Sequence, residues 1–222
     1  MLHSIQQRYG EKLRGTDGEI GQVRDFYFDD KKWSVRYVVA DTGQWLAGRQ
    51  VLISARALGH LYPNGKVLLV NLTRKQIEES PSIDEHKPVS RQHEDEYDRH
   101  YGYSSYAESW PLWGLAEYPV VVPPPPSTIT KQHGVDSHLR STRVVQSYNV
   151  EASDGGIGGV ADFLIDGRTW VLREILVETG HWYSEKEISI PTDKISRISY
   201  DESNVYVDST KAAIMEAAQV PA

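Results

Sequence analysis

The chain has 222 residues, a formal net charge of −7, 39% hydrophobic and 25% charged residues, and no cysteine. That length suffices for one large domain or two small ones. The acidic balance argues against a general nucleic-acid binder, which is normally basic, and the missing cysteines exclude disulfides, thiol nucleophiles and cysteine-ligated zinc.

The opening residues, "MLHSIQQRYGEKLRG", lack the apolar core of a signal peptide. No apolar run approaches a membrane span, so the expectation is a cytoplasmic chain without membrane insertion. From Thr16 the pattern is strand after strand. "DGEIG" reads as a turn, followed by a strand ending at Phe28, a short turn at "DDKK", a strand from Trp33, a turn at "DTGQW" and a strand at Val51–Ile53. "VRYVVA" is apolar on both faces, which predicts a strand covered on both sides by the rest of the fold. "LYPNGKVLLV" predicts a hairpin turning at Asn64 and Gly65. Thr73 and Gln76 carry a capping-box pattern for a short helix.

Residues 81–140 change character. "PVSRQHEDEYDRHYG" predicts a short helix with Ser90 as its cap and Gly102 at its end, and "VVVPPPPS" a polyproline strut. His86, His93 and His100 sit seven residues apart, which would spread them about 10 Å along a helix per step, too far to share one ion. Tyr101, Tyr106, Trp110 and Trp113 predict a strap that packs on the folded units or on a second subunit. The acidic surroundings argue against stacking on a nucleic-acid strand.

The stretch beginning at Ser153, "SDGGIGGVADFLIDGRTWVLREILVETGHW", repeats the first unit at a constant offset of 137, with thirteen of twenty-nine positions identical from Asp17 to Trp45. The same offset carries "VLISARAL" onto "ISIPTDKI", "KVLLVNLT" onto "SNVYVDST" and Ile77 onto Ile214. Gly156 to Ala161 fits a dinucleotide fingerprint, G-x-G-x-x-A, with Glu178 downstream. A phosphate loop must open a helix, however, and "VADFLID" reads as a strand. Only Gly18 and Gly21 recur, as Gly155 and Gly158, so the reading is a turn entering a strand. Asp25 and Arg36 recur as Asp162 and Arg173. If Phe28 faces Trp33 across the turn, Asp25 falls opposite Arg36 and Asp162 opposite Arg173. This predicts a structural ion pair in each copy, worth roughly 0.2–1 kcal/mol at an exposed site. "STKAAIMEAA" predicts a closing helix.

No nucleophile elbow, zinc-protease helix or P-loop occurs. The sequence therefore nominates no catalytic, cofactor or metal residues, and predicts a chain that is not an enzyme.

The unit carrying Ile20, Gly21, Val23, Asp25 and Phe26, then "VRYVVADTG" and "VLISARAL", resembles a PRC-barrel domain. The second copy resembles it through Ile157, Gly158, Val160, Asp162, Phe163 and "ISIPTDKI". This family includes the cytoplasmic part of the photosynthetic reaction-centre H subunit and the C-terminal domain of a ribosome maturation factor. The resemblance implies a mainly β fold of two tandem six-stranded barrels, each followed by a short helix and joined by the irregular aromatic- and proline-rich segment. The units would span residues 1–80, 81–140 and 141–222. It also implies a surface for protein partners: an adaptor or interaction module, stress-related or associated with electron transport. The alternatives are a small-subunit ribosome-assembly factor, or a small-ligand or metal binder using the histidine-rich segment. Trp45 and Trp182, which follow the same turn in each copy, join Tyr101, Tyr106, Trp110 and Trp113 as the expected interaction surface. Duplication also suggests pseudo-twofold symmetry or an exchanged homodimer.

Overall fold

Each repeat lays down the same succession of elements. The computed structural model describes residues 1–46, 49–62, 65–80, 100, 102, 139–180 and 187–219. In the first half these form β1 (Leu2–Ser4), β2 (Lys12–Arg14), β3 (Glu19–Asp29), β4 (Ser34–Asp41), β5 (Gln50–Ser54), β6 (Val67–Leu69) and α1 (Arg74–Glu78). In the second half they form β7 (Leu139–Ser141), α2 (Thr142–Val145), β8 (Asn149–Ala152), β9 (Gly155–Asp166), β10 (Leu172–Thr179), β11 (Glu187–Pro191), β12 (Ile195–Ser199), β13 (Asn204–Val207) and α3 (Lys211–Gln219). The fold is mainly β. Among the described residues, no helix is long and apolar enough to cross a membrane.

The first sheet has six strands, ordered β5-β4-β3-β2-β6, with β7 added to β3. The second has seven, ordered β11-β10-β9-β8-β13-β12, with β1 added to β9. The ladders are antiparallel except β2 with β6 and β8 with β13. The described ladders form two open paths rather than the closed rings expected from the sequence. The ends of the second path, β11 and β12, are consecutive in the chain and joined by a single 3-10 turn, Thr192–Lys194.

Two strands cross between the repeats. β1 precedes the first repeat but pairs with β9 of the second, Leu2 opposite Asp166 and Ser4 opposite Leu164. β7 precedes the second repeat but pairs with β3 of the first, Tyr27 opposite Ser141 and Asp29 opposite Leu139. Leu2 and Ser4 correspond to Leu139 and Ser141 at the same offset of 137, so the duplication reaches upstream of Thr16.

The repeated glycines have a steric cause. A Cβ on Gly21 would lie 2.0 Å from the Asp41 carbonyl oxygen, and one on Gly158 would lie 2.0 Å from that of Glu178. The backbones of β3 and β4, and of β9 and β10, therefore cross at a spacing only glycine permits. Gly156 to Ala161 all lie within β9, a strand, so the fingerprint-like glycines open no helix. The capping box at α1 is formed: the Thr73 amide donates to Gln76 Oε1 at 2.9 Å and the Gln76 amide to Thr73 Oγ1 at 3.3 Å. Asp17 and Asp154, also repeated, accept from the first amides of α1 and α3, Arg74 at 2.8 Å and Lys211 at 2.9 Å.

The turn expected at Asn64 and Gly65 falls partly on residues outside the described ones. The antiparallel bridge lies farther out, between Leu58 and Val70, and the Gly65 amide bonds back to the Tyr62 carbonyl at 3.1 Å; Asn64 itself lies outside the described residues. β4 is buried along nearly its whole length, as its apolar run predicts. Its outward residues Tyr37 and Val39 join Leu52, with Tyr27 and Leu139 packed against them.

One apolar core runs through both repeats, from Leu13, Phe26 and Val38 to Phe163, Ile175 and Val205. Phe28 of the first repeat meets Phe163 of the second at 5.5 Å between ring centroids. At that seam Trp33 and Trp170, which are counterparts, both adopt left-handed backbone conformations, with φ of 53° and 57°. Such a conformation costs on the order of 1–3 kcal/mol for a bulky residue. Here it aims each tryptophan carbonyl at the other repeat: Val35 N–H donates to Trp170 at 2.8 Å and Leu172 N–H to Trp33 at 2.7 Å.

Candidate functional site at the seam between repeats

The register differs from the one expected for the repeated acids and arginines. Bulges between Val23 and Asp25 and between Tyr27 and Phe28 shift the ladder, so that Val39, not Arg36, lies opposite Asp25, and Phe28 faces Val35. In the second copy Leu176, not Arg173, lies opposite Asp162. Arg36 and Arg173 are themselves the residues that the backbone ladder skips at the bulge nearest each turn. Arg36 instead lies 4.0 Å from Asp29, and the charge of Arg173 acts on Asp166, the counterpart of Asp29.

Asp25 and Asp162 serve the strand exchange. Asp162 accepts from the Ser4 hydroxyl and from the amides of Gln6 at 2.9 Å and Phe163 at 2.7 Å. Asp25 accepts from the Ser141 hydroxyl at 2.5 Å, the Thr142 hydroxyl at 2.9 Å, and the amides of Arg143 at 3.3 Å and Phe26 at 2.7 Å. Each carboxylate thus clamps the segment that leads into the other repeat. Burial pushes the Asp25 carboxyl above its usual range, and its hydrogen-bond donors work against that shift. Tyr9 joins the network at 2.9 Å from the Thr142 hydroxyl, with the Arg143 guanidinium over its ring at 4.2 Å. Burial raises the Tyr9 hydroxyl.

Where β1 meets the β9–β10 turn, a groove of about 370 Å³ opens between the repeats. His3, His60, Leu61, Tyr62, Gly167 and Arg168 form much of its lining. His3 is 7% exposed and Arg8 5%. Arg8 Nη2 lies 2.9 Å from His3 Nδ1. A guanidinium only donates, so Nδ1 carries no proton and the neutral ring holds its hydrogen on Nε2. Burial, then the Arg8 charge, lower the His3 pKa, while Asp166 acts in the opposite direction. Gly167 is the floor: a Cβ there would lie 2.6 Å from His3 Nε2.

The pseudo-symmetric place on the other side holds an ion pair instead. Arg140 stands where His3 does and Asp30 where Gly167 does, and Arg140 Nε meets Asp30 Oδ2 at 2.7 Å. None of His3, His60 and Arg168 was singled out by sequence spacing; the signal available was the departure from the repeat at His3 and Gly167.

Of the expected interaction residues, Trp45 is half-buried against the core, with the Arg74 guanidinium 4.4 Å over its ring. Trp182, Tyr101, Tyr106, Trp110 and Trp113 lie outside the described residues, as do His86 and His93. His100 Nε2 lies 3.3 Å from the Gln76 carbonyl. Among the described residues no group of three or more histidine and acidic side chains is placed to hold a metal ion.

A family model described as the PRC-barrel domain matches residues 9–77 and 150–214, more than half of the chain. No curated protein matches.

Proposed function

Because the chain belongs to the PRC-barrel family, we propose that it is a non-enzymatic interaction module, an adaptor that presents a surface of its first repeat to a protein partner. The observation that carries this reading is an asymmetry at β6. Its outward residues are bare and apolar, Val67 40% and Leu69 57% exposed, while Leu68 between them is buried. The counterparts in β13 are Asn204 and Tyr206, and there the Arg197 guanidinium lies 4.0 Å over the Tyr206 ring while Tyr206 donates to Glu202 at 3.0 Å. One repeat has its outward strand capped by its own charged side chains, and the other leaves the same strand open. Exposed apolar patches of this kind mark interaction sites. The deeply buried carboxylates Asp25 and Asp162 support a binding rather than a chemical role, since serine, threonine and backbone donors occupy them. In this reading each repeat is a small barrel-type unit, and the module works in the cytoplasm.

The test is recovery of partners on the tagged full chain from its native source. A specific partner should copurify with the wild type and with Tyr206→Ser, and fall at least about tenfold with Leu69→Lys, as expected for burying a charge in an apolar contact. Equal recovery with Leu69→Lys, or no partner above background, overturns the reading. A small-subunit ribosomal protein as that partner would identify the pathway as ribosome assembly.

A further inference from the structure

We propose that the groove at the seam binds a small free carboxylate with an apolar body. Three observations converge. The first is the built donor. Arg8 holds the His3 tautomer so that Nε2–H is the free donor of a side chain that is nine-tenths buried and lines the groove. No hydrogen bond to Nε2 forms among the described residues. The second is charge. Arg168, in the turn beside Gly167, makes no side-chain hydrogen bond or ion pair among the described residues, and His60 also lines the groove. Arg168 brings a positive charge to the same groove as the neutral His3 N–H donor, a pair suited to an anion, and the planar fork of arginine matches a carboxylate. The third comes from the duplication itself. On the symmetry-related side the protein supplies its own carboxylate, Asp30, to the basic residue at the position of His3. On the groove side Gly167 replaces that acid. The groove side therefore lacks the carboxylate that its counterpart supplies, and His3 and Leu61 pack directly against Gly167 there.

The body of the ligand is set by the remaining walls. Leu61 and Tyr62 are apolar or aromatic, and a volume near 370 Å³ lies in the small-molecule range. An aryl or short alkyl acid has the required shape: its carboxylate toward His3 Nε2–H and Arg168, its body against Leu61 and Tyr62.

The experiment uses the full chain, isotope-labelled, with benzoate as the probe and benzyl alcohol and inorganic phosphate as comparisons. The imidazole nitrogens of His3 and the side-chain Nε of Arg168 are followed by NMR at mildly alkaline pH. Benzoate should shift both saturably. Arg168→Gln should weaken that binding roughly tenfold, the effect of losing one charge-assisted hydrogen bond. Lys31→Gln, the corresponding change on the symmetry-related side, should leave it unchanged. Arg168 is exposed, so its replacement does not threaten folding. The proposal is overturned if benzoate gives no saturable shift at His3, or if benzyl alcohol binds as tightly as benzoate. It is equally overturned if phosphate binds more tightly, or if Lys31→Gln costs as much as Arg168→Gln. Partner recovery through Leu69 is read separately, so failure of one reading leaves the other standing.

Discussion

His3 shows how one side chain ties pH to the seam. Its Nδ1 accepts from Arg8, so protonation must break that bond and set two cations together in a buried place. In the unfolded chain the imidazole takes its proton near 6.5, and in the folded chain only at lower pH. Between those values the unfolded state holds more protons, so stability falls as pH drops through 6.5 toward the folded value. The charged groups acting on the ring are Arg8 and the Met1 amino group, which oppose protonation, and Asp166, which favours it; His60 and Arg168 line the same groove. Asp25 has the opposite sign: its raised carboxyl makes stability rise as pH falls through its own range. That contribution is common to wild type and variant and cancels between them. The urea midpoint of the wild type is expected to fall from about pH 7.5 to about pH 5.5. His3→Gln, whose amide oxygen still accepts from Arg8 but cannot protonate, should flatten that slope. Parallel slopes would show that His3 does not titrate in this way.

At the scale of elements, the exchanged strands are held by matched serines. Ser4→Ala should cost about 1–2 kcal/mol by leaving part of the Asp162 carboxylate unsatisfied. It should speed hydrogen exchange at the Ile5 amide, which bonds the Phe163 carbonyl at 2.9 Å. Ser141→Ala should instead loosen β7. Identical exchange patterns in the two variants would contradict separate clamps. These elements also divide what the sequence shows from what it hides. The strands, the glycine turns and the capping box were legible because each rests on a local pattern, and the 137-residue offset shows that pattern twice. The register was not legible, because nothing in the sequence announces the bulges at Arg36 and Arg173, and each bulge moves every later pairing. The exchange was hidden for a different reason. Alternation says that a strand has a buried face, not which sheet receives it, and only Leu2 and Ser4 recur upstream of Thr16. The groove residues come from three separate parts of the chain, so no spacing could have grouped His3 with Arg168.

For the whole molecule, a shared core and two crossed strands predict a single cooperative unit. Calorimetry of the full chain should give one transition. Phe28→Ala, at the centroid contact with Phe163, should lower that one transition by roughly 3–5 kcal/mol without splitting it. Two separable transitions would mean that the halves fold independently. The crossed strands also bear on ancestry. A forerunner with one repeat, built on the same plan, must borrow its leading strand from a sister copy and is therefore a homodimer. In such a dimer every substitution is made twice, and both ends of the dyad stay alike. Fusion into one polypeptide releases that constraint: the Arg140–Asp30 latch can persist at one end while a histidine packs on a glycine at the other.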